Sequence, residues 1–362
     1  RKALQFKFWN RATESNNPLL AEAVELRTQM AGLFGLETWA HHAMELKMAK
    51  TPGAVVDFYR SIVPQLSVKR DDDIAAMTDM LVTDGDAAAA TAGGTELQSW
   101  DTAYYTTQLR KRDFGIDQNE VAAYFPLDQV IDGVFEITGE VFGLEYRRIE
   151  QTGAWHQDVH LYEIRNANGE EPIAYFYADL VPREGKFGHA AAFPLVTGQR
   201  LHDGSYQKPI AAIVANFTKP SETTPSLLKH DEALTLFHEF GHILHFCLTT
   251  VDLARFAGFD TEWDFVEAPS QIMEHWMWQP EVLQRFARHH ETGQAIPEDL
   301  VGRLVAARDL NIGLQTMRQI FLGQFDMNLH AVGGAVDVDR AYRDAYELTG
   351  FPFYEDTHFG AS

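Results

Sequence analysis

The sequence predicts a mostly α-helical (α+β) protein with a small β-sheet inserted between two helical regions. Apolar residues recur at helical spacing before residue 143 and again between residues 229 and 349. Between residues 143 and 217 they form short runs typical of strands, two of them separated by an Asn-Ala-Asn-Gly turn at residues 166–169. We therefore expect a helical lobe over residues 1–142 and a second lobe over residues 143–362.

Each lobe divides further. Thr51 and Pro52 predict the start of a long helix, because a hydroxyl cap followed by proline is a common helix start. Residues 84–94 are expected to end or loosen that helix and to form a surface loop or a frayed helix. In the second lobe we expect the sheet in residues 143–217, helices beside it in residues 229–278 and C-terminal helices in residues 280–349. The expected strands are residues 145–149, 159–165, 173–181, 188–195 and 209–217.

Composition excludes several classes of protein. The 362 residues include 30 Lys and Arg against 52 Asp and Glu, a formal net charge of −22. Neither nucleic acid nor an anionic membrane is an expected partner, because both attract basic surfaces. No run approaches the roughly 18 apolar residues of a membrane span. The single cysteine, Cys247, excludes an internal disulfide framework and suits a reducing compartment, so we expect a cytoplasmic protein. The oligomeric state is left open.

The residues with recognisable chemistry are 238–242, an H-E-x-x-H sequence in a predicted helix. His238 and His242 are one helical turn apart, about 6 Å, and can bind the same zinc ion. Glu239 can then act as general base toward a water on that ion. The motif predicts a zincin-type helical metallopeptidase, with the small sheet beside this helix. The plain alternative is a helix with two exposed histidines and a solvated glutamate.

A zinc site of this kind needs a third protein ligand. His245 lies about 10.5 Å from His238 along the helix axis, too far to share an ion. We expect His245 to line the cleft, orient a neighbour or simply pack. The ligand should instead come from a following helix, where four carboxylates are candidates: Glu262, Glu267, Glu274 and Glu281.

Two of these four carboxylates stand out. Glu267 begins an unusually apolar helical stretch, where a carboxylate must be paired or bound to a metal. Glu274 lies seven residues later on the same face, where it could support a ligand from behind. As third zinc ligand, Glu267 is on these grounds favoured as strongly as the other three candidates combined, so all four stay open.

Two segments of the sequence are similar to those around the active site of the thimet oligopeptidase family of zinc peptidases, family M3. They are residues 236–245 (LFHEFGHILH) and residues 264–271 (DFVEAPSQ). Upstream, residues 182–186 (PREGK) and 188–191 (GHAA) resemble the segment that precedes the family's active-site helix. The likeness extends over most of the chain.

The resemblance implies roles for individual residues. His238, His242 and Glu267 would bind one zinc ion per chain, and Glu239 would be the catalytic base. The fold would be a helical molecule with a deep channel, and the substrates short peptides. The implied function is a zinc-dependent oligopeptidase that hydrolyses internal peptide bonds.

The same resemblance suggests that this chain is the central portion of a longer enzyme. A family segment rich in His, Gly and Tyr, which grips the peptide and supplies oxyanion donors, is expected to follow Ser362. The family's N-terminal start is expected to precede Arg1. On this view the chain by itself binds zinc but is nearly inactive.

The sequence also suggests where a peptide substrate would bind. We expect a peptide to add as a strand along the small residues Gly188, His189, Ala190 and Ala191, although these could equally form an ordinary internal strand. Two rival functions stay open. One is a zinc carboxypeptidase or dipeptidyl carboxypeptidase of related type. The other is a non-catalytic relative that only binds peptides.

Overall fold

The computed structural model describes residues 1–83, 96–150 and 153–354. Most of these residues are helical. The helices before the sheet are α1 (Lys2–Trp9), α2 (Thr13–Leu33), α3 (Trp39–Met44), α4 (Pro52–Thr83), α5 (Thr102–Phe114), α6 (Gln118–Ala122) and α7 (Leu127–Phe142). Those after it are α8 (His230–Cys247), α9 (Ala268–Glu274), α10 (Pro280–Phe286), α11 (Glu298–Ala306), α12 (Ile312–His330) and α13 (Val338–Tyr346).

Five strands lie where the apolar runs predict them, and two further strands of two residues each were not predicted. They are β1 (Leu144–Ile149), β2 (His160–Asn166), β3 (Pro172–Asp179), β4 (Ala191–Val196), β5 (Gln199–Arg200), β6 (Tyr206–Gln207) and β7 (Ile210–Val214). Five of them form a sheet in the order β1-β2-β3-β7-β4, while β5 and β6 pair separately. The β3–β7 pair is parallel and the other pairs are antiparallel. The prediction of a mostly helical protein with a small inserted sheet is confirmed.

The helix start and the turn that the sequence predicts are both present in the structure. The Thr51 hydroxyl accepts a hydrogen bond from the Ala54 N–H at 3.2 Å, which caps the start of α4. The turn between β2 and β3 closes where Gly169 N–H donates to the Asn166 carbonyl at 2.8 Å. The expected loop over residues 84–94 lies outside the described residues, as does the end of the chain at Ser362.

The chain divides into two compact units. Unit 1 comprises Arg1–Phe114 and Asp309–Ser362, and unit 2 comprises Gly115–Arg308. This grouping differs from the expected division at residue 142. Helix α7 packs on β1 and α10, which places residues 115–142 with the sheet, whereas α12 packs on α4. The period of apolar residues along a helix does not say which distant element that helix meets, so the sequence could not reveal this grouping.

Each unit has its own apolar core. In unit 1, Phe321, Phe325 and Leu329 of α12 pack against Tyr342 and Tyr346 of α13. In unit 2, Phe240 of α8 packs against the aromatic rings of Phe135 and Phe176, which belong to α7 and β3. Helix α8 is therefore fixed against the sheet. Within the described parts of the chain, no helix is both long and apolar enough to cross a bilayer.

Candidate active site

Helix α8 carries the H-E-x-x-H sequence in unit 2. Its N-terminus is capped because the Lys229 N–H donates to the Glu232 carboxylate at 2.8 Å. One side of α8 packs on β3, β4 and β7, and another packs on α9. Residues at helical spacing along it, including Phe237, Phe240 and Ile243, are buried. This packing fixes the direction in which the two histidines project.

His238, His242 and Glu267 converge on one point. Their ligand-type atoms lie within 4.8 Å of one another. The Nε2 atoms of His238 and His242 are each 3.2 Å from Oε2 of Glu267. Glu267 is the residue immediately before α9, so the close packing of α8 and α9 brings the three together. Of the four candidate carboxylates, only Glu267 joins this cluster within the part of the chain that the structure describes.

Glu274, at the other end of α9, holds the His238 ring from behind. Its Oε1 lies 2.7 Å from His238 Nδ1. With the carboxylate ionised, Nδ1–H is the donor, and in the neutral ring Nε2 then carries the lone pair. Burial lowers the pKa of His238, but the Glu274 hydrogen bond and the nearby carboxylates outweigh it and raise the pKa overall.

The donor atoms of the cluster fit a metal cation. A lone pair on His238 Nε2 directed at a carboxylate oxygen is repelled unless a positive charge lies between them. Two imidazole nitrogens and one carboxylate oxygen form the set that zinc takes in open sites with three protein ligands. The carboxylate on the far ring nitrogen of His238 is the usual support for a metal-binding histidine.

A hydrogen bond from Ser270 favours the ionised form of Glu267. The Ser270 side chain is buried, and its hydroxyl donates to Glu267 Oε2 at 2.7 Å. Burial raises the pKa of Glu267, but this hydrogen bond and the positive charge of the two histidines lower it overall. Glu267 is therefore held as a carboxylate. Ser270 was not among the residues expected in the site, although its position three residues after Glu267 is the spacing of a helix-cap pair.

Glu239 is buried on the side of α8 that faces β4. Only 7% of the residue is exposed, and burial raises its pKa. The backbone amide of Ala192 on β4 partly opposes this rise. The edge strand and the H-E-x-x-H helix therefore meet at this carboxylate.

Gly241 permits the approach of the two helices. A Cβ atom at this position would lie 2.6 Å from Ser270 Cα and 2.8 Å from the Pro269 carbonyl oxygen. Both neighbours are backbone atoms and cannot turn aside. Glycine is therefore required between the two histidines for Glu267 to reach them.

The remaining ring nitrogens differ in their surroundings. His242 Nδ1 is buried, and within the described residues it has no hydrogen-bond partner. Burial lowers the pKa of His242. His245 lies outside the three-residue cluster and lines a cavity of about 810 Å³ together with Phe265 and Met273. Of the three expectations for His245, the structure places it at a cavity wall.

The expected substrate segment is only partly a strand. Gly188 and His189 lie in a bend, Ala190 follows it without regular structure, and β4 begins at Ala191. The predicted strand over residues 188–195 is therefore too long at its start. The reason is a buried anchor just before the bend: Lys186 donates to the carbonyls of Asp179 and Val181 at 2.9 and 2.8 Å. An added Cβ at Gly188 would meet no atom within 4 Å, so this bend borders open space.

Lys186 belongs to a group of ion pairs and hydrogen bonds around Asp179, the last residue of β3, which is 2% exposed. The two terminal nitrogens of the Arg183 guanidinium, Nη1 and Nη2, donate to its carboxylate at 2.7 Å, and Trp155 Nε1 donates at 2.8 Å. The Lys186 ammonium lies 2.9 Å from Asp179 Oδ1. Burial raises the pKa of Asp179, but the hydrogen bonds from Arg183, Trp155 and Lys186 outweigh it and bring the pKa to about 2.

Comparison with known proteins gives consistent matches. The sequence model of peptidase family M3 matches residues 1–353. The chain is 36% identical over 371 aligned residues to the thimet-like oligopeptidase of Dictyostelium discoideum, covering 100% of this chain and 55% of that protein. It is 36% identical over 317 residues to oligopeptidase A of Salmonella typhimurium, with 87% and 45% covered. It is 33% identical over 337 residues to the dipeptidyl carboxypeptidase of Escherichia coli, with 92% and 48% covered.

The fold and the matches place the chain among the peptidase families. Among these families, the chain belongs to peptidase family M3. The resemblance seen in residues 236–245 and 264–271 is thereby confirmed as a family relationship. The chain spans about half the length of the curated relatives it matches.

Proposed function

We propose that the chain carries the metal centre of a zinc-dependent oligopeptidase that hydrolyses internal bonds of short peptides. The observation that carries the proposal is the convergence of His238, His242 and Glu267 within 4.8 Å, beside the buried carboxylate of Glu239. Family M3 membership supports it, because this family is one of metallopeptidases. His238, His242 and Glu267 would hold the zinc ion. Glu274 would orient His238, and Ser270 would orient Glu267.

The zinc ion, when bound, would supply a Lewis acid that acidifies water and polarises a carbonyl oxygen. The protein residues carry out the proton transfers. Glu239 accepts a proton from the attacking water as oxygen adds to the scissile carbonyl carbon. It then delivers that proton to the amide nitrogen as the carbon–nitrogen bond breaks. Burial raises the pKa of Glu239, which makes its carboxylate a better proton acceptor.

The peptide would lie along the outer edge of β4. Within the described residues β4 is the last strand of the five-stranded sheet, so one of its edges has no partner strand. The backbone amide of Ala192 on this strand lowers the pKa of Glu239, so the strand and that carboxylate lie close together. Pro194, two residues later on the same edge, lacks an N–H, and prolines in sheets are found at such edges. A peptide added here would place a backbone carbonyl close to Glu239.

The relatives carry two kinds of name, oligopeptidase and dipeptidyl carboxypeptidase, so the mode of cleavage needs its own test. An enzyme that removes C-terminal dipeptides needs a free C-terminal carboxylate, whereas an oligopeptidase does not. We expect a peptide of about ten residues, acetylated and amidated at its ends, to be cut internally. Mass spectrometry of the products from the longest chain that the gene encodes would decide. Cleavage of only the free-acid peptide, two residues from its end, would establish the dipeptidyl mode instead.

Metal content tests the core of the proposal separately. The chain should hold one zinc ion after dialysis against metal-free buffer, measured by inductively coupled plasma mass spectrometry. A chelator should remove zinc and activity together, and added zinc should restore both. A chain that holds no metal above background, or that cuts peptides equally well without it, would contradict the proposal. Metal binding without cleavage of any peptide by the longest encoded chain would favour the non-catalytic relative.

A further inference from the structure

A second cavity lies in unit 1, built from helices that carry none of the metal-binding candidates. It has a volume of about 570 Å³, which is typical of a small-molecule site. Helices α1, α5, α12 and α13 surround it. The residues that give it chemical character are Arg110, Arg318, Asn311, Trp9, Tyr342 and Phe351.

The cavity wall contains two arginines that pair with no carboxylate among the described residues. Neither Arg110 nor Arg318 makes a hydrogen bond or an ion pair with another residue in the described ranges 1–83, 96–150 and 153–354. This is notable in a chain with 52 acidic and 30 basic residues. The Arg318 charge also opposes the rise that burial gives to the pKa of Tyr342, which places the guanidinium near this phenol. Guanidinium groups facing a cavity favour a carboxylate ligand, because their planar donors match its two oxygens.

Asn311 adds a buried acceptor to the same cavity. The residue is 4% exposed, and it precedes α12 with a positive φ of 60°. Its side chain does not cap α12, because Asp73 accepts the Leu314 N–H instead at 3.2 Å. The amide of Asn311 is therefore turned inward, where its Nδ2 donates to the Thr106 hydroxyl at 2.5 Å.

The orientation of that amide follows from the hydrogen-bond network. The Thr106 hydroxyl donates its own proton to the Thr102 carbonyl at 2.7 Å, so toward Asn311 it can only accept. Asn311 Oδ1 is consequently the free end of the amide. It is buried and has no donor among the described residues. An acceptor left unpaired costs about 1–3 kcal/mol, so a donor supplied by a ligand would be favourable.

The rest of the wall is apolar and aromatic. The rings of Trp9 and Tyr346 lie 6.3 Å apart in an edge-to-face arrangement, and those of Phe321 and Tyr342 lie 5.4 Å apart in the same way. Phe351 completes this side of the cavity. The combination of two cations, one buried acceptor and an aromatic wall defines the ligand. We infer that this cavity binds a small carboxylate whose apolar body carries a hydrogen-bond donor.

The inference does not depend on the proposed peptidase function, since no residue of the metal cluster takes part. It is tested with N-acetyl-L-phenylalanine as probe, which has a carboxylate, an amide N–H and an aromatic ring. Binding to the full chain is measured by isothermal titration calorimetry at low salt, after a chelator has removed any metal. Two altered probes serve as controls: the carboxamide, which lacks the charge, and the N-methyl amide, which lacks the donor.

We expect saturable binding that weakens about tenfold or more with the carboxamide or with either R110Q or R318Q. The N-methyl probe should bind about fivefold more weakly. The matched control is R60Q, an exposed arginine of α4 that does not line the cavity, and it should change affinity less than twofold. Circular dichroism melting of each variant verifies folding. The inference is overturned if the probe does not bind, if the carboxamide binds equally well, or if both cavity arginine variants behave like R60Q.

Discussion

His238 and Glu274 are joined at 2.7 Å between Nδ1 and a carboxylate oxygen, across two helices that also bring Glu267 to the opposite ring nitrogen. Glu267 and Glu274 stand at the two ends of the seven-residue helix α9. One short helix therefore contacts both nitrogens of the same imidazole. Its position relative to α8 decides the orientation and the protonation of His238.

Loss of Glu274 should weaken metal binding without removing a ligand. In Glu274→Ala the His238 ring loses the acceptor that fixes its orientation and proton. We expect zinc affinity to fall about 10- to 100-fold, measured by competition with a chromophoric chelator. Glu274→Gln keeps an acceptor oxygen and should recover part of the loss. Glu281→Ala, an exposed carboxylate at the start of α10, is the matched control. Equal affinities for the Glu274→Ala and Glu281→Ala variants would show that Glu274 does not support the site.

Loss of Glu267 should have a larger effect than loss of any other candidate carboxylate. Glu267→Ala removes the only carboxylate oxygen within 3.2 Å of both histidine Nε2 atoms in the described residues. We expect the dialysed variant to retain little zinc, whereas Glu262→Ala and Glu281→Ala retain a full equivalent. Metal analysis by mass spectrometry is the measurement. The same zinc content in all three variants would contradict the proposed ligand set.

Glu239 should be separable from metal binding. Glu239→Gln keeps the size of the side chain, but it no longer accepts a proton from water. We expect a full equivalent of zinc and a loss of peptide cleavage of at least about 10²-fold in the longest encoded chain. The comparison is a fluorogenic peptide assay at matched zinc content. Activity within tenfold of the unaltered protein would assign the base to another residue.

Gly241→Ala should disturb the helix contact that brings the ligands together. The new methyl group would press on the backbone of Ser270 and Pro269. We expect a loss of about 1–3 kcal/mol in unfolding free energy together with weaker zinc binding. Gly302→Ala in α11 is the control, because its Cβ meets no atom within 4 Å; it should stabilise by about 0.5–1 kcal/mol. If both variants retain zinc affinity and Gly241→Ala is as stable as the parent, the contact is not critical.

The ion pairs and hydrogen bonds of Asp179 should make the unfolding free energy depend on pH. Its pKa is about 2 in the folded chain against an ordinary value of 3.8, so the unfolded chain takes up the proton first as pH falls. The lowered pKa of Asp179 contributes about 2 kcal/mol to the unfolding free energy above pH 4, and this contribution disappears as pH falls toward 2. Urea unfolding of the parent and of Asp179→Asn should therefore differ most near pH 6 and converge toward pH 2.

The control for this prediction is Asp57→Asn, because Asp57 is exposed on α4. We expect it to change the unfolding free energy by no more than about 0.5 kcal/mol across the same range. A difference between the parent and Asp179→Asn that stays constant from pH 6 to pH 2 would show that this carboxylate does not have a lowered pKa.

The sequence by itself determined the local features of the protein. Helical spacing placed His238 and His242 on one face, and apolar runs located the strands of the main sheet to within a few residues. A threonine–proline pair marked the start of α4. These features depend on residues close together in the chain, where backbone geometry and side-chain period act directly. The H-E-x-x-H spacing is of this kind, so its chemistry was recognisable without the fold.

The tertiary structure decided everything that joins distant segments. The sequence singled out Glu267 and Glu274 among the four candidate carboxylates but could not place either one in space. The packing of α9 on α8 brings Glu267 to Nε2 and Glu274 to Nδ1 of His238. The same is true of the position of Ala192 beside Glu239 and of the grouping of residues 115–142 with the sheet. Such contacts follow from how whole faces of helices and strands fit together. That fit depends on side-chain volumes across the interface, as at Gly241, and not on the period of either segment.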